Sequence, residues 1–196
     1  HQAVVLGMLD KKYKVWKVVT AGGPRYVLDE DLKKLENEEQ IKSKEVLIEV
    51  GQLGNFTGDE LRQLDMAQLN AENWTEVAEW YGMSAKAAIE TAQTGVEWRP
   101  VLIRVNEEIS PLLKEYMVRN INEAREEGRN FFIFEIDSNG GDAVAGMELA
   151  EFIKDMKGVK TIAYIPEKAI SAAAFIALGC DEIIIGHEAK LGNCGV

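Results

Sequence analysis

The stretch "AISAAAFIALG", Ala169 to Gly179, sets one serine, Ser171, in a run of alanines and large apolar residues. It follows a strand pattern, "VKTIAYIP", and opens a helix pattern. A serine at a helix start stands among unpaired N–H groups at the positive end of the macrodipole. Both favour an alkoxide or a tetrahedral oxyanion. Upstream, "FEIDSNGGDAVAG" runs another strand into the pair Gly140–Gly141, again directly before a helix. Lacking Cβ atoms, the pair lets a substrate backbone approach, and its N–H groups can serve a developing oxyanion. Each stretch also has a plain reading. Ser171 is small enough for a helix–helix contact, and a double glycine suits an ordinary strand-to-helix turn. Taken together, as loops at the carboxyl ends of parallel strands, they place a nucleophile beside amide donors, as acyl transfer requires. Ala172, Ala173 and Ala174 are expected to leave room for an acyl group beside Ser171.

A serine nucleophile needs a base, and the residues leave its identity open. The histidines are His1 and His187. His1 is terminal and expected to be disordered. His187 lies in "GHEAKLG", which reads as a surface turn. Lys168 and Lys190 are the lysines nearest in sequence, and a buried lysine with a depressed pKa can act as base. Neither local sequence reads as buried, and the Lys168 side chain is expected to point to solvent. Cys180 and Cys194 form no CxxC pair and read as small buried hydrophobes, a bond between them being left open. No metal and no cofactor is expected.

Composition narrows the classes of function. The chain has 196 residues, 46% hydrophobic and 28% charged, the profile of a soluble globular protein of one domain or two small ones. A formal net charge of −11 argues against nucleic acids and anionic membrane surfaces as partners. No apolar run is long enough to span a bilayer. "HQAVVLGMLDKK" lacks a basic n-region and a cleavage motif, so it is not read as a signal peptide. The chain does not start with Met, which suggests a processed or excised piece.

Two halves differ in pattern. "YKVWKVV", "AGGP" and "RYVLD" read as a hairpin, followed by a short helix over Glu30 to Glu38. "KEVLIEVG" is a strand. Thr57 with Glu60 three positions on forms a capping-box pattern before another helix. "NWTEVAEWYGM" sets Trp74, Val77, Ala78 and Tyr81 on one helical face, read as core packing. "SAKAAIETAQTGVEW" reads as a linker or loose helix. From Arg99 on, strands alternate with helices: "RPVLIRV", "SPLLKEYMVRNINEAREEG", "NFFIFEID", "AVAGMELAEFIKDMKG", "VKTIAYIP", "SAAAFIALG", "DEIIIG". That order implies α/β architecture, a mostly parallel sheet with helices outside it. The expected division is therefore 1–85, a linker 86–98, and 99–196.

The run "EIDSNGGDAVAGMELAEFI", "AISAAAFIALGCDEIIIG", "KLGNCGV" resembles the ClpP-class serine proteases. Within them it is most similar to the membrane-associated NfeD-type branch related to signal peptide peptidase A. The resemblance covers Arg99 to Val196 and implies the ClpP/crotonase-like ββα spiral. It implies Ser171 as nucleophile, the amides of Gly141 and Ala172 as oxyanion donors, and Gly140 and Asn139 at the substrate. The family usually has a proline where Asn139 stands. ClpP itself takes its base from a histidine near the position of Asn193 or Val196, and none is there. The NfeD and peptidase A branches use a lysine on a helix beyond "LGNCGV", past the end of this chain. Residues 1–85 resemble the portion that follows that lysine helix. The expectation is thus a piece of a tandem two-module protein, the tail of one module before the serine-bearing head of the next.

The resemblance implies a serine peptidase with a Ser/Lys dyad whose lysine lies outside the chain. Its substrates would be apolar segments of membrane-associated proteins, stomatin-like ones among them, met as a homo-oligomer on the extracytoplasmic side. An inactive ClpP-like scaffold acting through oligomerisation is the alternative. A crotonase-type acyl-CoA enzyme shares fold and oxyanion hole but needs an acidic residue rather than a serine.

Overall fold

The computed structural model describes residues 1–81 and 98–195, with the side chain of Trp74 left out. The expected linker, apart from Trp98, lies outside the described residues, as do the readings placed on Trp74 and Val196. The chain forms two compact units, one of His1–Asn55 with the residues from Gly192 on, the other of Phe56–Leu191.

The first unit opens with α1 (Gln2–Leu9), then β1 (Val15–Thr20), β2 (Gly23–Leu28), α2 (Asp29–Glu38) and β3 (Ile41–Ile48). Its antiparallel sheet runs β2-β1-β3, and the expected hairpin is present. Val18, Leu32 and Leu35 form its small core, with Trp16, Val27 and Ile41 packed against it. The helix α1 was not expected. Its residues are apolar on nearly every side, so no stripe of period 3.6 marks it.

The second unit contains β4 (Asn55–Thr57), α3 (Gly58–Gln63), β5 (Leu69–Asn70), α4 (Trp74–Trp80), β6 (Pro100–Val105), α5 (Pro111–Glu126) and β7 (Phe131–Ile136). These are followed by α6 (Ala143–Lys154), β8 (Lys160–Ile165), β9 (Lys168–Ile170), α7 (Ala172–Leu178), β10 (Glu182–Ile185) and β11 (Lys190–Gly192). Among the described residues the main sheet has five strands in the order β5-β10-β8-β7-β6, all parallel. A smaller sheet runs β4-β11-β9. The mixed α/β architecture is as expected from the alternation of strands and helices. β7 is apolar almost throughout and buried on both faces, as an interior parallel strand must be.

The compact units divide after Asn55. β5 pairs with β10 through Leu69 and Asn70. Val77, and Tyr81 behind it, pack with Phe131, Ile133, Ile162 and Tyr164, so residues 56–81 are built into the α/β unit. The Tyr81 ring meets Phe131 edge-on at 5.2 Å, and its hydroxyl donates to Glu182. Tyr81 thus packs against the core, as read. The capping box at Thr57 is present in full. Ser110 caps α5 through Leu113 N–H ahead of Pro111, and Asp142 caps α6 through Ala145 N–H at 2.7 Å.

The small residues around α7 have a packing cause. A Cβ on Gly146 of α6 would stand 2.7 Å from Ala172 O, and one on Gly179 would stand 2.7 Å from Ala150 O. The two helices therefore touch backbone to backbone at Ala172, and Ala172, Ala173 and Ala174 are all fully buried. Gly146→Val is expected to force the helices apart and lose about 2–3 kcal/mol in urea unfolding. An unchanged midpoint would contradict the close packing.

Candidate active site

Three chain segments converge at the carboxyl end of the sheet. β7 leads into the loop Asp137–Asp142, β8 leads through β9 to Ser171, and β6 leads into residues 106–109. Ser138 N–H donates to Lys168 O at 3.1 Å, and Ile170 N–H donates to Ser138 O at 3.0 Å. These bonds form a short parallel bridge between the glycine loop and β9. On the other flank, Ile109 N–H donates to Gly140 O and Asp142 N–H to Ile109 O, each at 2.8 Å. The Ser138 hydroxyl donates to Glu107 O at 2.7 Å and accepts from Gly140 N–H at 3.1 Å. The side-by-side placement expected of the two loops is thus made by hydrogen bonds.

Gly140 and Gly141 have φ of +100° and +148°, which L side chains rarely adopt. A Cβ on Gly140 would meet Ile170 O at 2.6 Å, Ser171 Cβ at 2.7 Å and Ala172 N at 2.9 Å. The glycine pair therefore touches the serine directly. The bridge to Ile109 uses Gly140 O and Asp142 N–H and leaves the Gly141 N–H out. Ala172, as the first residue of α7, has no carbonyl a turn back for its N–H. Asn139 is exposed at the mouth of the loop.

Ser171 itself has φ +55° and ψ −125°, a strained conformation for a residue with a Cβ. Such strain costs on the order of 1–3 kcal/mol and persists only where the surroundings impose it. The sharp turn from β9 to α7 imposes it here. The side chain makes no capping bond to α7, and among the described residues its Oγ has no hydrogen-bond partner. A serine that caps nothing and is held under strain matches what a nucleophile at a strand-to-helix elbow needs.

A cleft of about 520 Å³ lies against the glycine loop, lined by Asn106, Glu107, Glu108, Asp137, Ser138 and Lys168 among others. Lys168 was expected to point to solvent. It is half-buried and lines this cleft because β9 is pinned to Ser138 on both sides of it. Asp137 Oδ1 is buried there without a protein partner. Sequence reasoning missed Glu107 and Ser138. The Ser-Asn-Gly-Gly turn was the available signal for Ser138, whose hydroxyl acts as an internal brace.

His187 stands apart from this cleft. Its Nδ1 lies 2.6 Å from Asp59 Oδ1 and its N–H donates to Glu72 Oε1 at 2.9 Å, all at the surface. Lys190 is exposed on β11. Cys180 and Cys194 are free thiols. Burial raises both, Cys194 to about 12, so neither is ionised at neutral pH. Among the described residues no His/Cys/Asp/Glu group is arranged to hold a metal ion.

Residues 100–196 match the family "NfeD1b, N-terminal domain". Membrane protein NfeD1b of Bacillus subtilis (strain 168) is 25% identical over 95 residues, 48% of this chain and 22% of that protein. The chain thus spans about a fifth of that relative's length. Among solved structures, a serine-to-alanine mutant of the 1510-N membrane-bound stomatin-specific protease has 25% identity and a TM-score of 0.42, over 46% of this chain and 44% of that one. A lysine-to-alanine mutant of the same protease, in complex with a substrate peptide, has 27% identity and a TM-score of 0.42, over 46% and 42%. No helix among the described residues is long and apolar enough to cross a membrane.

Two outcomes follow from this geometry. Ser171→Gly is expected to unfold later in urea than Ser171→Ala, by about 1 kcal/mol, because glycine relieves the positive φ. The opposite order would contradict the strain. The Asp59 hydrogen bond raises the His187 pKa above its usual value of 6.5. The stability this contact contributes is therefore full below that usual value and is lost as pH rises through the raised one. In an NMR titration Asp59→Asn is expected to lower the His187 midpoint, and an unmoved midpoint would contradict the pairing.

Proposed function

We propose that the chain carries the nucleophilic half of a serine peptidase of the ClpP/NfeD class. In this reading Ser171 Oγ attacks a peptide carbonyl, and the Gly141 and Ala172 amides hold the oxyanion. Asn139 and Gly140 line the approach of the substrate backbone. The attacking hydroxyl loses its proton to the base, which returns it to the leaving amine, and water then hydrolyses the acyl-enzyme. The observation that carries the reading is the contact of Gly140 with a strained Ser171 whose hydroxyl has no hydrogen-bond partner among the described residues. The base proposed is the lysine of a Ser/Lys dyad that lies outside the chain.

The substrates proposed are apolar segments of membrane-associated proteins, stomatin-like ones among them. The setting proposed is a homo-oligomer at the extracytoplasmic side of a membrane. Residues 1–85 are proposed as the tail of a preceding module. The family match of residues 100–196 and the name of the Bacillus relative support the membrane setting.

Labelling with a fluorophosphonate probe tests the reading. The chain, a longer form continuing past Val196, and Ser171→Ala in each are compared. Labelling of the longer form is expected, abolished by Ser171→Ala. No labelling of either form would favour the inactive, oligomer-forming scaffold.

A further inference from the structure

β6 is the last strand of the main sheet, and among the described residues nothing pairs with its outer edge. Near its carboxyl end lies a second groove of about 550 Å³, lined by Arg104, Leu112, Leu113, Tyr116 and Arg119. Leu112 and Tyr116 are 77% and 53% exposed. They stand one turn apart on α5, so they present one apolar stripe. The Arg119 guanidinium lies 5.7 Å from the Tyr116 ring centre and backs it at the rim. Large apolar side chains left in water beside a groove mark a contact surface.

The groove is continuous with the candidate active-site cleft. Asn106 and Glu107 line both. Glu107 is also the residue whose carbonyl receives the Ser138 hydroxyl, so the wall shared by the two grooves is braced to the glycine loop. A chain lying in the first groove has one direct path, past Asn106, into the second.

We propose that the groove of Leu112, Leu113 and Tyr116 is a substrate subsite that receives an apolar side chain of an extended peptide whose backbone follows the β6 edge toward Gly141. The inference rests on the peptidase reading and names what that site selects. An open strand edge offers main-chain hydrogen bonds to any extended peptide, and an apolar pocket beside it supplies the choice of side chain. The pocket accounts for a preference for apolar segments without any residue at the scissile bond. Its polar rim of Arg104, Glu107 and Arg119 keeps the stripe from being a flat adhesive patch.

The test uses the full chain as Ser171→Ala, which removes turnover, and a fluorescein-labelled decapeptide of alternating leucine and threonine. Anisotropy gives its Kd. Leu112→Asp combined with Tyr116→Asp is expected to weaken binding at least tenfold, with a matching melting temperature showing an intact fold. Tyr116→Ala alone, at an exposed position, is expected to weaken it severalfold, and Tyr116→Phe to retain it. Equal affinity in the Asp and Ala variants would overturn the subsite. Absence of peptide binding to the parent chain would overturn it too. Fluorophosphonate labelling of Ser171 in the longer form continuing past Val196 then tells whether the peptidase reading falls with it or stands alone.

Discussion

The structure around Ser171 depends on one small parallel bridge, in which Ser138 donates to Lys168 O and receives from Ile170 N–H. Neighbouring parallel strands diverge at their carboxyl ends as the sheet twists. Without the bridge, the glycine loop and the β9–α7 turn would be two independent surface loops. With it, Gly140 is pressed against the Ser171 Cβ and the start of α7. Only glycine fits that contact, which gives the glycine pair a steric cause before any catalytic one.

The same contact explains why strain is tolerated at Ser171. The chain leaves β9 already bonded to the glycine loop and must at once enter α7, whose first residue Ala172 lies against Gly146 of α6 while Gly179 at its end lies against Ala150. Both ends of the turn are fixed by packing, so the residue between them takes a conformation it would not choose. The alanine-rich helix thus serves the site indirectly. It fixes the end of the turn that presents the hydroxyl. Its plain reading as a helix–helix contact and the functional reading of Ser171 are both needed.

Much of this was legible in the residues because it rests on local pattern. The alternation of "NFFIFEID", "AVAGMELAEFIK" and "VKTIAYIP" carries the period changes that define parallel α/β structure, and Thr57 with Glu60 spells out its own cap. Less legible were features set by distant partners. β5 is two residues long, and its strand state exists only because β10 offers an edge. β9 exists because β11 and Ser138 lie beside it. Lys168 faces the cleft for the same reason, and no periodicity in "EKAIS" encodes it. α1 was hidden by being apolar on all sides. The division of the chain at 55 follows from the packing of Val77 and Tyr81 on Phe131, a contact between residues far apart in sequence.

The central claim is that Ser171 and the amides of Gly141 and Ala172 form one tetrahedral-intermediate site. A crystal structure of the chain soaked with a peptide boronic acid tests it most directly, since boron forms its bond to a serine hydroxyl without requiring a leaving group. The account predicts boron on Ser171 Oγ, with one boronate oxygen within hydrogen-bond distance of both amides. Boron on another residue, or on Ser171 with its oxygens turned away from the glycine loop, would contradict it.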